Sequence, residues 1–159
     1  MLDMVRAGEL DAAFVANSDQ LGALDRVEID DPSSCCVHPI IHLATQAEAD
    51  WTDLEGLDYV DFHDSWAVRS INDEVCRSHG VHRRVRFTVD DIHTLLDLVH
   101  RGLGAALVPQ TIAAKPQAAG LAVVQLPSDS HAEWVVSVVT APTSAETAAA
   151  VHLLELLTQ

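Results

Sequence analysis

Residues 95–109 read LLDLVHRGLGAALVP. Leu95, Leu96 and Val99, with Ile92 before them, fall on one face of a helix, and Asp90 or Asp91 stands where an N-cap is wanted. Gly102 supplies the stop. The run that follows, Ala105 to Val108, has no polar alternation, which is the mark of a strand covered on both faces, and Pro109 closes it. A helix over 90–104 feeding a buried strand over 105–109 is half of a β-α-β unit.

The rest of the chain continues that rhythm in both directions. Upstream, VHRRVRFTV (81–89) reads as a strand and HDSWAVRSINDEVCRSHG (63–80) as a helix. Asp64 or Ser65 would cap that helix, Trp66, Val68, Ile71, Val75 and Cys76 form its apolar stripe, and Gly80 ends it. LDYVDF (57–62) is a strand. TQAEADWTDLEGL (45–57) is a polar connection holding a short helix capped by Thr52 and stopped at Gly56. RVEIDD (26–31) and SCCVHPI (34–40) read as two short strands, the second broken by Pro39. At the start, Leu2, Val5 and Ala7 before Gly8 form a helix tail that leads into the strand LDAAFVA (10–16), and NSDQLGALD (17–25) is a loop. Downstream, QTIAAKPQAAG (110–120) is a helix or turn followed by a loop. LAVVQLP (121–127) and EWVVSVVTA (133–141) are strands, and TSAETAAAVHLLELLTQ (143–159) is a closing helix with Leu153, Leu154, Leu156 and Leu157 on its inner side. The order predicts an α/β protein with a largely parallel sheet and helices on both faces.

Composition narrows the function. With 24 acidic against 9 basic residues the 159-residue chain carries a net charge of −15, the wrong sign for gripping phosphates, so direct nucleic-acid binding is not expected. The cluster Arg83, Arg84 and Arg86 reads as a solvated strand entry or as an anion contact. No signal peptide and no membrane-length apolar run is visible, which points to the cytoplasm and to no membrane partner. Three cysteines do not make a disulfide framework. CCVHPIIH (35–42) holds ligand chemistry in Cys35, Cys36, His38 and His42, but neighbouring strand residues face opposite ways and the spacing is not that of a zinc site. No metal or other cofactor is expected. GxSxG, Walker and HExxH patterns are absent, and the glycines of 102–104 follow a helix rather than open one, so no enzyme activity and no catalytic residues are assigned.

The stretch 95–109, with Gly102, Gly104 and Pro109, resembles the effector-binding domain of the LysR-type transcriptional regulators. MVRAGELDAAFV, through Gly8, Leu10 and Asp11, resembles the family's entry into a strand. HPI (38–40) is similar to its His-Pro-Leu turn. Asp53 and Leu54 of WTDLEGLDYVDF match a further segment, and RSHGVHRRVRFTVDDIHTLLDLV matches the next strand and helix. The ordered series covers the whole chain.

That resemblance implies a fold like the type-2 periplasmic binding proteins, two lobes with mostly parallel sheets joined by two crossover strands. Lobe I would hold 1–35 and 139–159, lobe II 36–138, and the crossovers would run near 34–40 and 133–141 with the hinge at Val37, His38 and Pro39. It also implies that lobe I lacks its first strand and helix, and that the family's winged DNA-binding domain is not in this stretch. The implied function is sensing of a small metabolite in the cleft between the lobes. The partners would be that effector, and further copies of the chain or full-length regulators. A free-standing solute-binding protein of a transporter shares the fold and stands as the alternative. In open α/β sheets ligands sit beyond the carboxyl ends of strands, where the family's effector contacts also lie. The positions here are Ala16 and Asn17 in lobe I, and Phe62, His63, Asp64, Ser65, Thr88, Val89 and Asp90 in lobe II. Asp64, Asp90 and Asp91 are either helix caps or carboxylates that turn the site away from anions.

Overall fold

The protein is described here by a computed structural model covering residues 2–16, 22, 24–39, 41–127, 133–140, 152, 155 and 156. It divides into two compact units, 1–30 with 135–159, and 31–134.

The larger unit is built around strand β3 (Asp58–Phe62). The chain leaves β3 through helix α2 (Ala67–Ser78) and returns as β4 (Arg84–Val89), parallel to β3 from Asp58↔Arg84 to Phe62↔Val89. Helix α3 (Ile92–His100) then carries it to β5 (Ala106–Pro109) on the other side of β3. There Ala105 accepts from the Val60 N–H (2.9 Å) and donates to Asp58 O (2.8 Å) in a parallel bridge. The order β4-β3-β5 thus reverses at β3. Alternation along β3 splits its side chains between the helices. Val60 and Phe62 join Leu95, Leu96 and Val99 of α3, with Cys36, Ala106 and Val108, in one buried cluster, while Asp61 meets Asn72 of α2.

The Gly-x-Gly pair has a separate duty for each glycine. At Gly102 (φ +73°) the chain leaves α3 in a Schellman turn, with Gly102 N–H on Val99 O (2.9 Å) and Leu103 N–H on Leu98 O (3.1 Å). Gly104 is needed for proximity. A Cβ there would stand 2.9 Å from Asp58 O, 3.0 Å from Tyr59 C and 3.1 Å from Val60 N, all backbone of β3.

The sheet is mixed, not largely parallel. Strand β2 (Asp25–Val37) runs antiparallel to both β5 and β6 (Ala122–Gln125), with Cys35 opposite Leu107 on one side and Val124 on the other. β5 and β6 therefore run in the same direction with β2 between them. The crossover that such an arrangement needs comes from helix α4 (Gln110–Ala113) and a 3-10 turn at Pro116–Ala118. β2 is also a single strand where two were expected. Pro32 suits extended backbone, and the register with β5 starts just after it, at Ser33. The connection 45–57 forms 3-10 turns at His42–Thr45 and Trp51–Leu54. The second is capped by Asp50 and Asp53, not Thr52, since Asp53 Oδ2 accepts the Asp50 N–H at 2.9 Å.

In the smaller unit, helix α1 (Leu2–Arg6) precedes β1 (Ala12–Ala16), which pairs antiparallel with β7 (Glu133–Thr140), Phe14 opposite Val138. Val5, Ala13 and Val139 form its buried centre. Of the closing helix expected over 143–159, His152, Glu155 and Leu156 are helical, and the remainder lies outside the described residues.

Candidate functional site

Two parallel strands ending side by side bring their following loops together. Phe62 and Val89 close the β3–β4 ladder, and the His63 N–H donates to Val89 O at 3.2 Å. The loops that hold residues 62–65 and 88–90 therefore meet at His63 and Val89. The parallel bridge at Tyr59 and Ala105 sets β5 running in the same direction as β3, so that its carboxyl end leads into α4. Gln110 and Thr111, at the start of α4, join the same end of the sheet. They are missing from the sequence-based set because no charge or motif marks them; only the reversal of strand order at β3 does, and a crevice beyond the carboxyl ends at such a reversal is where open α/β sheets hold ligands.

Phe62 and Val89 are buried, while His63, Asp64, Ser65, Thr88 and Asp90 are exposed. Ala16 ends β1 in the other unit, and Asn17 lies outside the described residues. Val37 is the last residue of β2. His38 and Pro39 follow in a turn closed by the Ile41 N–H on His38 O (2.9 Å).

The carboxylates divide by role. Asp91 is a cap: Oδ1 accepts the Thr94 N–H (2.9 Å) and Oδ2 the Thr94 hydroxyl (2.6 Å), and these bonds hold its carboxyl below the usual range. Asp64 and Ser65 are not caps. Helix α2 begins at Ala67 with Trp66 as its N-cap residue, and no side chain bonds its first turn. The reason is that the side chains of 63–65 are engaged with each other. His63 Nδ1 lies 2.9 Å from Asp64 Oδ1 and 3.0 Å from Ser65 Oγ, and it is 3.3 Å from the Ser65 N–H. An Nδ1 without its proton can accept that N–H, whereas an Nδ1 that carries one donates to the carboxylate or the hydroxyl, so the tautomer of His63 selects its partner. Asp90 has no hydrogen-bond partner among the described residues.

Beneath the lip lies a charge network the sequence did not reveal. The Asp61 side chain is 1% and the Arg83 side chain 3% exposed. Arg83 pairs with both Asp61 and Asp73, and Arg69 binds Asp73 at 2.9 Å. Asn72 Nδ2 reaches the two Asp61 oxygens at 3.2 and 3.3 Å. Asp61 Oδ1 also accepts the Phe62 N–H at 2.7 Å, and Arg69 donates to Phe62 O at 3.3 Å. Burial pushes the Asp61 carboxyl up, opposed by Arg83 and these hydrogen bonds. For Arg83 burial works against the charge and the adjacent carboxylates outweigh it, so its guanidinium stays protonated. Arg83 is thus no solvated strand entry. Arg84 pairs with Asp58, and Arg86 is exposed. One signal was available in advance: an aspartate inside an otherwise apolar strand requires a buried partner.

Cys35, Cys36 and Cys76 are buried free thiols, and burial pushes Cys36 and Cys76 up to about 11 and Cys35 further. Adjacent positions on β2 send Cys35 and Cys36 to opposite faces. Among the described residues no group of three or more His, Cys, Asp and Glu side chains could hold a metal ion, and no helix is long and apolar enough to cross a membrane.

The LysR substrate binding domain family matches residues 1–159. No curated protein matches the chain in sequence. Among solved structures, the C-terminal domain of a "probable LysR family transcriptional regulator" from Rhodococcus sp. RHA1 superposes with a TM-score of 0.78 at 21% identity, over 99% of this chain and 78% of that one. The effector binding domain of QuiR in complex with shikimate gives 0.77 at 13% identity, over 98% and 74%. The regulatory domain of Synechocystis PCC6803 CcmR in complex with 2-PG gives 0.79 at 15%, over 98% and 75%. At these identities the likeness is one of fold.

Proposed function

Since the chain belongs to the LysR substrate binding domain family, we propose that it senses a small-molecule effector for a bacterial transcriptional regulator, and that the carboxyl-end crevice of β3, β4 and β5 contacts that molecule. The observation that carries this reading is the meeting of loops 62–65 and 88–90, joined by the His63 N–H on Val89 O, beside the strand-order reversal at β3. Exposed His63, Ser65 and Thr88 offer hydrogen-bonding groups above an apolar floor of Phe62 and Val89. Exposed Asp90, and Asp64 next to His63, favour a hydroxylated or cationic effector over an anionic one.

The two-lobed, binding-protein-like arrangement belongs to this proposal, with Val37, His38 and Pro39 as the flexing segment and Ala16 and Asn17 as contacts from the other lobe. The effector acts by shifting the population between two lobe arrangements, which demands different affinities for them. Association with further copies of the chain or with full-length regulators in the cytoplasm transmits the shift. The family match favours this reading over a transporter's solute-binding protein.

A thermal-shift screen of polar metabolites tests it. A true effector at a hundredfold excess over its Kd adds about 2.7 kcal/mol to stability. His63→Ala and Ser65→Ala should weaken that shift while leaving the ligand-free melt nearly unchanged. A hit indifferent to both substitutions places the site elsewhere, and a silent screen on folded protein removes the reading.

A further inference from the structure

Trp66 is the largest side chain near the crevice that the hydrogen bonds of the lip do not use. It follows Ser65 directly, and its N–H donates to His63 O at 3.0 Å, which ties its position to the lip. Its own carbonyl accepts the Arg69 N–H at 3.0 Å, so its backbone is fixed by the first turn of α2. The indole lies on the Phe62 ring, centroids 5.4 Å apart and planes 13° from parallel. Phe62 is 7% exposed, whereas Trp66 is 41% exposed. One indole face therefore rests on the buried floor and the other is open, held at a set height beside His63 and Ser65. An amphipathic helical stripe, as the sequence suggested for Trp66, would have turned the ring into the core with Ile71 and Val75, and it does not.

We propose that Trp66 is a specificity-determining residue on whose open face a flat, unsaturated ring of the effector stacks; this rests on the effector-binding reading above. A ring stacked there extends an existing two-ring stack, and the gain beyond simple burial is specific to π faces. A saturated ring of the same size buries similar area without it. Shielding Phe62 is the competing duty. It predicts a cost in ligand-free stability when Trp66 is lost, and no change in how ligands are ranked.

The test uses two matched pairs of probes at millimolar concentration, 2-phenylethylamine against 2-cyclohexylethylamine and 3-phenylpropanoate against 3-cyclohexylpropanoate. Each pair keeps charge and reach and changes only flatness. Kd values are measured by calorimetry on the whole chain, with ligand-free melts recorded for every variant. In the pair whose charge the lip accepts, the aromatic member should bind several-fold to roughly tenfold more tightly. Trp66→Ala should bring that pair within about twofold, and Trp66→Phe should keep most of the preference. Equal binding of ring and saturated twin in the unsubstituted protein overturns the proposal, as does a preference that survives Trp66→Ala. If no probe binds while ringless metabolites score in the thermal screen and respond to His63→Ala, the platform is wrong and the effector site stands. If the screen is silent too, both fall.

Discussion

Replacing Gly104 by alanine adds one methyl group where the structure has no room for it. The Cβ would meet Asp58 O at 2.9 Å, Tyr59 C at 3.0 Å and Val60 N at 3.1 Å. These are backbone atoms of β3, which cannot rotate aside as a side chain can. They are also pinned, because Ala105 donates to Asp58 O at 2.8 Å and accepts from Val60 at 2.9 Å. Relief requires β5 to move away from β3, loosening two hydrogen bonds and the cluster of Val60, Ala106 and Val108. Overpacking of this kind costs about 1–3 kcal/mol, which for a chain of this length lowers Tm by roughly 2–12 °C. Gly102→Ala makes the informative comparison. Its site is open, the nearest atom being His38 Cγ at 3.8 Å, but φ is +73°. The penalty there is conformational, roughly 1–2 kcal/mol, and Gly102→Asn should recover part of it because asparagine tolerates that region. Gly104→Asn should recover nothing and cost more than Gly104→Ala. Urea unfolding of the four variants decides the matter. A Gly104→Ala protein within about 0.5 kcal/mol of the parent, or an asparagine that rescues both sites alike, would refute the close-approach explanation.

The buried ion network supplies a second prediction. Asp61→Ala leaves Arg83 buried beside the exposed Asp73 alone and should cost about 3–5 kcal/mol, whereas the double variant Asp61→Leu/Arg83→Met should cost markedly less than the sum of its parts; additive values in a double-mutant cycle would mean the pair is not coupled. The thiols supply a third. At pH 8 a thiol with its pKa near 11 is ionised in roughly one molecule in a thousand, so a thiol-specific chromogenic reagent should label none of Cys35, Cys36 and Cys76 in the native protein and all three in denaturant. Prompt labelling of the native chain would show that the strand carrying Cys35 and Cys36, or helix α2, opens readily.

What could be read from the residues was set by how local its cause is. Gly102 and Pro109 announce α3 and β5 because a left-handed cap and a strand end are each decided within a few residues. The start of α2 was misplaced for an equally local reason. Asp64 and Ser65 have cap-forming side chains, but His63 offers them a nearer partner, and the helix waits until Ala67. Ser33 and Ser34, just after Pro32, carry turn-forming side chains, and pairing with β5 and β6, more than seventy residues away, holds them as strand. The site divides along the same line. Residues 62–65 and 88–90 follow directly from finding two strands with helices after them. Gln110 and Thr111 required the lateral order of the strands, and the meeting of Asp61 with Arg83 required both that order and the face each side chain takes.

The position of that buried network bears on the site above it. Burying ions is a poor route to stability, since the charges lose more hydration than an equal volume of apolar side chains would forgo. Here the buried groups do something an apolar cluster could not. Asp61 takes the N–H of Phe62 and Arg69 takes its C=O, so the peptide units on both sides of Phe62 are fixed from below. Asn72 and Arg69 anchor the arrangement to α2, Arg83 to the entry of β4, and Leu107 O, which accepts from Asn72 at 3.4 Å, to β5. The three strands that frame the crevice are thus tied to one residue of its floor. With the loop held from beneath, the side chains of His63, Ser65 and Trp66 add only local contacts, among themselves and with Asp64 and Phe62, to what keeps it in place. They can be substituted, or engaged by an effector, without dismantling the loop that presents them.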